Sequence, residues 1–428
     1  MKQKKQIVVI GGGFAGMNFA KRIDKRQYDV VLVDRNNFHS FPPLFYQIAS
    51  SGLQPDSICF PFRREFSQGK AKGVRFHIGE VERIDTAKRT VVTQYEEIPY
   101  DILVIAAGTT NNFFGNPSLV DSVYTLKSAA QAMRCRDEIL DRLERASLEP
   151  DATKRREMLT FTVVGGGPAG VEIAGSLGEM KSYILNRNYP DINKDDVSIT
   201  LMEGSGALLG AMSEKAQQCA LQYLEELNVK VELHTILKGL DGYMATLGDD
   251  STRFAGMVIW TAGVMAPDIT FDGMSVERGH GNRILVDEYN RVRNQSQPIY
   301  VLGDMALMTT EEYPHGHPQL AQVAIQQGQL LARNLNNSDK QTAFKYHDKG
   351  TMATVGRGRA VADIGRFHYS GFMAWIVWMG VHLLSLLGMR NKINVFIDWI
   401  WGYFTYGTSL RLLLYPARHP LLWKWGEK

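Results

Sequence analysis

Ile7-Val8-Val9-Ile10-Gly11-Gly12-Gly13-Phe14-Ala15-Gly16 decides the fold because it has a counterpart, Phe161-Thr162-Val163-Val164-Gly165-Gly166-Gly167-Pro168-Ala169-Gly170, about 150 residues later. Each stretch is an apolar run that reads as a buried parallel strand, then G-x-G-x-x-G, then a helix expected over 14–23 and over 168–177. Gly11 and Gly165 turn the chain tightly. Gly13 and Gly167 let the backbone approach a pyrophosphate, and Gly16 and Gly170 let helix and strand pack closely, with the helix N-terminus facing the anion. One such motif is common in loops. Two, each between a strand and a helix, imply two dinucleotides held by one chain; the competing reading is one working site and one structural copy.

At 428 residues the chain has room for two or three domains with their own cores. Hydrophobic residues at 44% and charged ones at 22% suit a folded protein and exclude a disordered one. The net charge of +3 is uneven: residues 371–428 carry six Lys/Arg against Asp398 and Glu427, so the rest is about neutral. Nothing in this distribution points to nucleic acid. Met1-Lys2-Gln3-Lys4-Lys5 leads into the first strand without an apolar signal stretch, so the cytoplasmic side is expected. Cys59, Cys135 and Cys219 form no C-x-x-C, which argues against a disulfide framework, a zinc site or a vicinal redox pair.

The fold class expected is α/β, with two Rossmann-like dinucleotide-binding domains and a C-terminal helical region. Residues 1–115 read as the first nucleotide domain, with Val30-Val31-Leu32-Val33 as its second strand and a hairpin about Asp85-Thr86-Ala87-Lys88. Residues 116–267 hold the second, entered through a polar, helical connector at 128–158 and interrupted by a polar insert at 186–196. Residues 268–340 return to the first domain through Pro298-Ile299-Tyr300-Val301-Leu302 and a helix over 320–335, and 345–428 form the C-terminal region.

An acid ending the second strand of such a unit binds the ribose hydroxyls of the adenosine half. Asp34 lies 18 residues after Gly16, and Glu203 lies 33 after Gly170, the excess coming from the polar insert. A carboxylate at Glu203, with no Arg in the ten residues that follow, would repel a 2′-phosphate and so favours NADH over NADPH. Ile102-Leu103-Val104-Ile105-Ala106-Ala107-Gly108 and Val301-Leu302-Gly303-Asp304 end two further strands in small or acidic residues suited to a ligand crevice.

These features resemble the two-dinucleotide flavoproteins of the glutathione-reductase superfamily. That resemblance implies FAD on Gly11, Gly13, Phe14, Ala15, Gly16, Asp34, Val81, Ala107, Gly108, Asp304, Ala321 and Gln322, and NADH on Gly165, Gly167, Pro168, Gly170, Glu203, Ala262 and Gly263. The loop Asn36-Asn37-Phe38-His39-Ser40-Phe41-Pro42-Pro43-Leu44-Phe45-Tyr46-Gln47, the segment Ile259-Trp260-Thr261-Ala262-Gly263-Val264, Ala321-Gln322-Val323-Ala324-Ile325-Gln326-Gln327-Gly328, Asp348 to Arg357 and the Trp-rich tail resemble the type II NADH:quinone oxidoreductases. The implied activity is two-electron transfer from NADH through FAD to a quinone, without proton pumping. Gln322 and Gln326, at i and i+4, put both amides on one helix face, where neutral donors can meet a quinone carbonyl; the same pair alone would read as surface glutamines. Gln47 is expected to act likewise. Glu172 is expected in the first turn of the second motif's helix, where the dipole favours a carboxylate, and the resemblance assigns it proton delivery towards quinone. Alternatives are a soluble NADH-dependent electron transferase, a sulfide:quinone oxidoreductase, which would need a reactive cysteine pair, and a flavin-binding NADH sensor without fast turnover.

Six of the seven tryptophans (Trp375, Trp378, Trp399, Trp401, Trp423 and Trp425) lie in the tail. Residues 371–388 carry no Asp, Glu, Lys or Arg, an apolar run at the lower limit for a membrane span. In the next stretch Ile393, Phe396, Ile397, Ile400 and Phe404 form one helical stripe flanked by Trp399 and Trp401, with Asp398, Gly402 and Thr405 opposite. Such a helix lies in a lipid interface, so a peripheral position on the cytoplasmic face of the membrane is expected; the alternative cover for the stripe is a homodimer or domain interface.

Overall fold

Apolar residues on both faces of a strand demand cover on both sides, and the two runs that precede the glycines obtain it in two separate parallel sheets. The computed structural model describes residues 4–337, 339–405 and 410–413; Arg418, Trp423, Lys424, Trp425, Glu427 and Lys428 lie outside them. The first sheet runs Ile299–Val301, Ile102–Ile105, Lys5–Ile10, Tyr28–Asp34, Arg75–Ile78, all parallel. It therefore takes strands from both sides of the second unit. Ile7 and Val9 face a core with Phe19, Phe62 and Leu331, whereas Val8 and Ile10 face one with Ile84, Val91 and Ile98. The helix Phe14–Arg22 packs closely on Ala321–Asn336, since a Cβ on Gly328 would strike the carbonyl of Ala15.

The second sheet runs Tyr124–Thr125, Met257–Trp260, Thr160–Val164, Ser198–Met202, Lys230–Glu232, again all parallel. Its motif helix, Pro168–Glu179, continues as a π-helical turn over Met180–Ile184 and a helix over Leu185–Asn188. That extension lengthens the spacing to Glu203. The connector expected to be polar is amphipathic: along Ala129–Leu148 the residues Ala132, Cys135, Ile139, Leu143 and Ala146 are buried, and they join the core that holds the second unit and the Phe45–Ala49 helix. Its buried Arg136 and Arg142 are paired within the helix, to Asp137 and Glu138, each at 2.7 Å.

The C-terminal region opens with a sheet that the sequence reading did not anticipate. Thr351–Thr354, Ala360–Ile364 and Phe367–Ser370 pair antiparallel. The strand end lies tight on the second motif helix, where a Cβ on Gly175 would come within 2.9 Å of the Gly356 nitrogen. The apolar run 371–388 is a 15-residue helix, Gly371–Ser385, which ends before the next helix, Met389–Thr405. Among the described residues no helix is long and apolar enough to cross a membrane. The stripe Ile393, Phe396, Ile397, Ile400 and Phe404 is exposed, as is Trp401, but Trp399 turns inward onto Trp378 at 5.3 Å between ring centroids.

Candidate active site

The two glycine motifs build the same cradle twice. Gly11 (φ +95°) and Gly165 (φ +111°) occupy left-handed backbone, hydrogen-bonded through N–H to Val33 O and Met202 O, both at 2.8 Å. A Cβ on Gly16 or Gly170 would overlap the carbonyl of Gly11 or Gly165, so each helix can sit on its strand only with glycine there. Above Gly13 and Gly167 nothing lies within 4 Å of an added Cβ, and neither helix has a side-chain cap or an acid in its first turn. The free N–H groups of both helix ends thus face open space, as a pyrophosphate requires. Pro168 opens its helix at a position where no N–H is needed.

Each cradle is latched by the acid that the spacing identified. The Gly12 N–H donates to Asp34 Oδ2 at 2.7 Å and the Asn36 N–H to Oδ1 at 2.8 Å; the Gly166 N–H donates to Glu203 Oε2 at 2.6 Å and the Ser205 N–H to Oε1 at 2.7 Å. Burial pushes the Asp34 carboxyl above its ordinary range despite these donors. At Glu203 burial acts in the same direction, but the Ser205 and Gly166 N–H groups outweigh it and the carboxyl lies below its range.

The first cradle has an aromatic surround. The buried His39 donates from Nδ1 to Gly12 O at 2.8 Å, burial holding the ring neutral with a pKa of about 4, and Phe14 meets His39 and Phe41 edge-on, both at 5.6 Å. Ala107 and Gly108 follow the strand that neighbours Ile299–Val301, so they and Asp304 meet at one sheet edge. Ala15 lies under Gly303, Ala321 begins its helix, and Val81 heads the strand Val81–Asp85. Burial raises the Asp304 carboxyl, and the cations Lys127 and Arg283 oppose that rise. Lys127, which donates to Thr109 Oγ1 at 2.6 Å, and Gln327, which accepts from the Gly303 N–H at 2.7 Å, were given no role from the sequence; Lys127 belongs to no motif, and Gln327 lies within the Ala321–Gly328 stretch. In the second cradle Ala262 backs Gly165, and Gly263 lies under the Phe114 ring.

The remaining candidates gather along 347–354. Gln322 and Gln326 do share a face, yet both amides grip backbone. Gln322 accepts from the Lys349 N–H (2.9 Å) and donates to Gly350 O (3.2 Å), while Gln326 accepts from the His347 N–H (3.0 Å) and donates to His347 O (2.8 Å). Glu172 is buried and is the fifth residue of its helix, just past the first turn in which it was expected, and burial rather than the dipole governs it. Burial lifts its carboxyl well above the usual range, against the backbone N–H of Thr354. Gln47 donates to Tyr46 Oη at 2.9 Å and accepts from Trp399 Nε1 at 2.8 Å. Gln47 and Tyr46 border a pocket of about 120 Å³ walled by Trp375, Trp378 and Trp399, with Thr354, Glu179 and Arg357 also in its lining.

Residues 5–328 match the pyridine nucleotide-disulphide oxidoreductase family model and 348–405 the NDH2 C-terminal domain. The type II NADH:quinone oxidoreductase Ndh of Mycobacterium tuberculosis is 32% identical over 418 residues, covering 93% of this chain and 88% of that protein. The chain belongs to the type II NADH:quinone oxidoreductases. A second member of the family, NdhA of the same organism, is 30% identical over 92% of this chain and 86% of its own length. The fold is shared with NDH2 from Plasmodium falciparum (TM-score 0.88, 21% identity, 96% of this chain and 100% of that one). It is shared less closely with a sulfide:quinone oxidoreductase from Aquifex aeolicus (TM-score 0.71, 18% identity, 94% and 96%). Cysteine chemistry separates the chain from the sulfide-oxidising alternative. Cys59, Cys135 and Cys219 occupy three different elements, and burial raises the Cys59 thiol to about 12 and the Cys135 thiol too, away from the reactive thiolate.

Proposed function

We propose that the two cradles and the tryptophan-walled pocket divide one reaction between them, the transfer of two electrons from NADH through FAD to a membrane quinone without proton pumping. The observation that carries this reading is the doubled cradle, each with an acid latch and a helix end without a side-chain cap, in a chain of this family. Gly11, Gly13, Phe14, Ala15, Gly16 and Asp34, with Val81, Ala107, Gly108, Asp304, Ala321 and Gln322, fit FAD. Gly165, Gly167, Pro168, Gly170, Glu203, Ala262 and Gly263 fit NADH. When bound, FAD supplies hydride acceptance and two-electron release. The protein orients and shields. Asp34 and Glu203 meet ribose hydroxyls, and Glu203 repels a 2′-phosphate.

Glu172 keeps a proton because its site is dry, and it delivers that proton on the quinone side. Gln322 and Gln326 hold the 347–350 segment in place. Gln47 retains one N–H of its amide for a quinone carbonyl. Stopped-flow reduction by NADH, followed by reoxidation with a panel of quinones, tests the whole: both half-reactions should be fast, and flavin that NADH reduces but no quinone reoxidises would overturn it.

The exposed face of the two C-terminal helices, with Phe372, Met373, Ile376 and Leu384 on one and Ile393, Phe396, Ile397, Ile400 and Phe404 on the other, fits a lipid surface. Each basic side chain near anionic lipid contributes about 1 kcal/mol that salt screens, whereas the apolar term survives salt. The protein is expected peripheral on the cytoplasmic face, partly released from vesicles by high salt and fully by detergent. Complete release by salt, with a dimer in solution, would assign the face to a second copy of the chain.

A further inference from the structure

A line of hydrogen bonds crosses four elements between the tryptophan-walled pocket and the carboxyl of Glu172. Trp399, on the Met389–Thr405 helix, donates from Nε1 to Gln47 Oε1 at 2.8 Å. Gln47 donates from Nε2 to Tyr46 Oη at 2.9 Å. Tyr46 Oη lies 3.0 Å from Thr354 Oγ1. Tyr46 Oη accepts from the Gln47 amide and keeps both a proton and a lone pair, so either hydroxyl can be the donor in its contact with Thr354. Thr354 ends the strand Thr351–Thr354, and its backbone N–H is the group that opposes burial at Glu172. The Gln47 side chain is half-buried, and Tyr46, Thr354 and Glu172 are buried; every step but the one between the neighbours Gln47 and Tyr46 joins different elements.

We propose that Tyr46 and Thr354 are positioning residues that couple the pocket to Glu172: a ligand that shifts Trp399 or Gln47 is felt at Glu172 through the Thr354 N–H. This rests on the role proposed above for Glu172. Were Tyr46 to lose its hydroxyl, Gln47 would lose an acceptor and Thr354 a hydrogen-bond partner, and the strand end would no longer be pinned to the Phe45–Ala49 helix. The Thr354 N–H would then hold the carboxylate less firmly, which favours the protonated acid. The charged and titratable groups around this line are few. Glu172 and Glu179 lie on the motif helix and Tyr46 on the short one; Arg357 follows the strand, its backbone N–H donating to Glu179 Oε1 at 2.5 Å. Asp398 and Arg411 line the far side of the pocket.

The test is the pH profile of flavin reoxidation by a short-chain quinone, measured on the full-length holoenzyme beside the rate of reduction by NADH. Y46F and T354V should each move the alkaline fall in reoxidation upward by about half to one pH unit, the worth of one hydrogen bond. Reduction by NADH should stay within about twofold of wild type. T354S, which restores the hydroxyl, should return the wild-type profile, and the Y46F/T354V double variant should shift no further than either single one, as expected of partners in one bond. A merely structural role would lower rates at all pH values without moving the profile. Y46F and T354V profiles coincident with wild type, while E172Q loses the pH dependence, would overturn the coupling and leave Glu172 in its role. An unaltered profile in E172Q would overturn that role itself. If Y46F does not fold, the T354V and T354S pair decides alone.

Discussion

The two nucleotide cradles are built to one plan and finished differently. In both, the first glycine backs a neighbouring strand end, the middle one stands open and the third lets the helix down onto its strand. The surroundings differ. A Cβ on Gly12 would strike the Phe62 ring, and His39 and Phe14 close the same side; at Gly166 the neighbours are Leu208 and the Glu203 side chain. The acids differ as well, burial dominating at Asp34 and N–H donors at Glu203. An aromatic, dry cradle suits a cofactor that stays. One whose acid is held below its ordinary range by N–H donors suits a substrate that must exchange at every turnover.

The widest gap between the cradles should appear when each is blocked. Gly13 and Gly167 have room for a side chain, so valine at either should fold and obstruct only its own ligand. G13V is expected to purify without flavin. G167V should stay yellow but lose about 100-fold in the rate of reduction by NADH, the usual cost of misplacing reactants by an ångström. Absorbance at the flavin band and stopped-flow kinetics read both, and flavin lost from G167V but kept by G13V would reverse the assignment.

A smaller effect sharpens the contrast between the acids. E203Q keeps the shape and removes the charge facing a ribose, so the preference for NADH over NADPH should narrow by about tenfold in kcat/KM. The carboxyl is held below its usual range, so this preference should persist through mildly acidic pH and fade only as Glu203 protonates. Equal kcat/KM for both nucleotides in the wild type would show that Glu203 does not meet the 2′ position.

The smallest expected effect concerns His39, which has no counterpart in the second cradle. H39L removes the donor to a buried carbonyl and should cost about 1–3 kcal/mol in thermal unfolding of the holoprotein. With the ring's pKa at about 4 in the fold against an ordinary 6.5, its share of the stability should be full above about pH 6.5 and fall away as pH drops towards 4, because the unfolded chain binds the proton first; H39L should lack that slope. An unfolding midpoint in H39L equal to wild type would remove His39 from the cradle's support.

Much of this molecule could be read from local pattern alone. The glycine spacing, the strand runs and the acids Asp34 and Glu203 follow from backbone sterics and strand burial, which act over fewer than about forty residues and leave their mark in order along the chain. The stripe on the last helix is legible for the same reason. Tertiary packing decided the rest. Glu172 reads as a helix-end acid until the Thr351–Thr354 strand and the Phe45–Ala49 helix close over it and burial replaces the dipole as the governing influence. Gln322 and Gln326 read as a pair of donors until the 347–350 backbone, which needs partners of its own, takes up both amides. Trp399 belongs by periodicity to the border of an exposed stripe, yet Gln47, some 350 residues earlier in the chain, offers its Nε1–H an acceptor and draws it into the pocket. Lys127 carries no motif, and Gln327, though inside the Ala321–Gly328 stretch, serves the site through a contact that no spacing records. A buried polar group must find a partner wherever the fold provides one, and sequence order does not say where that is.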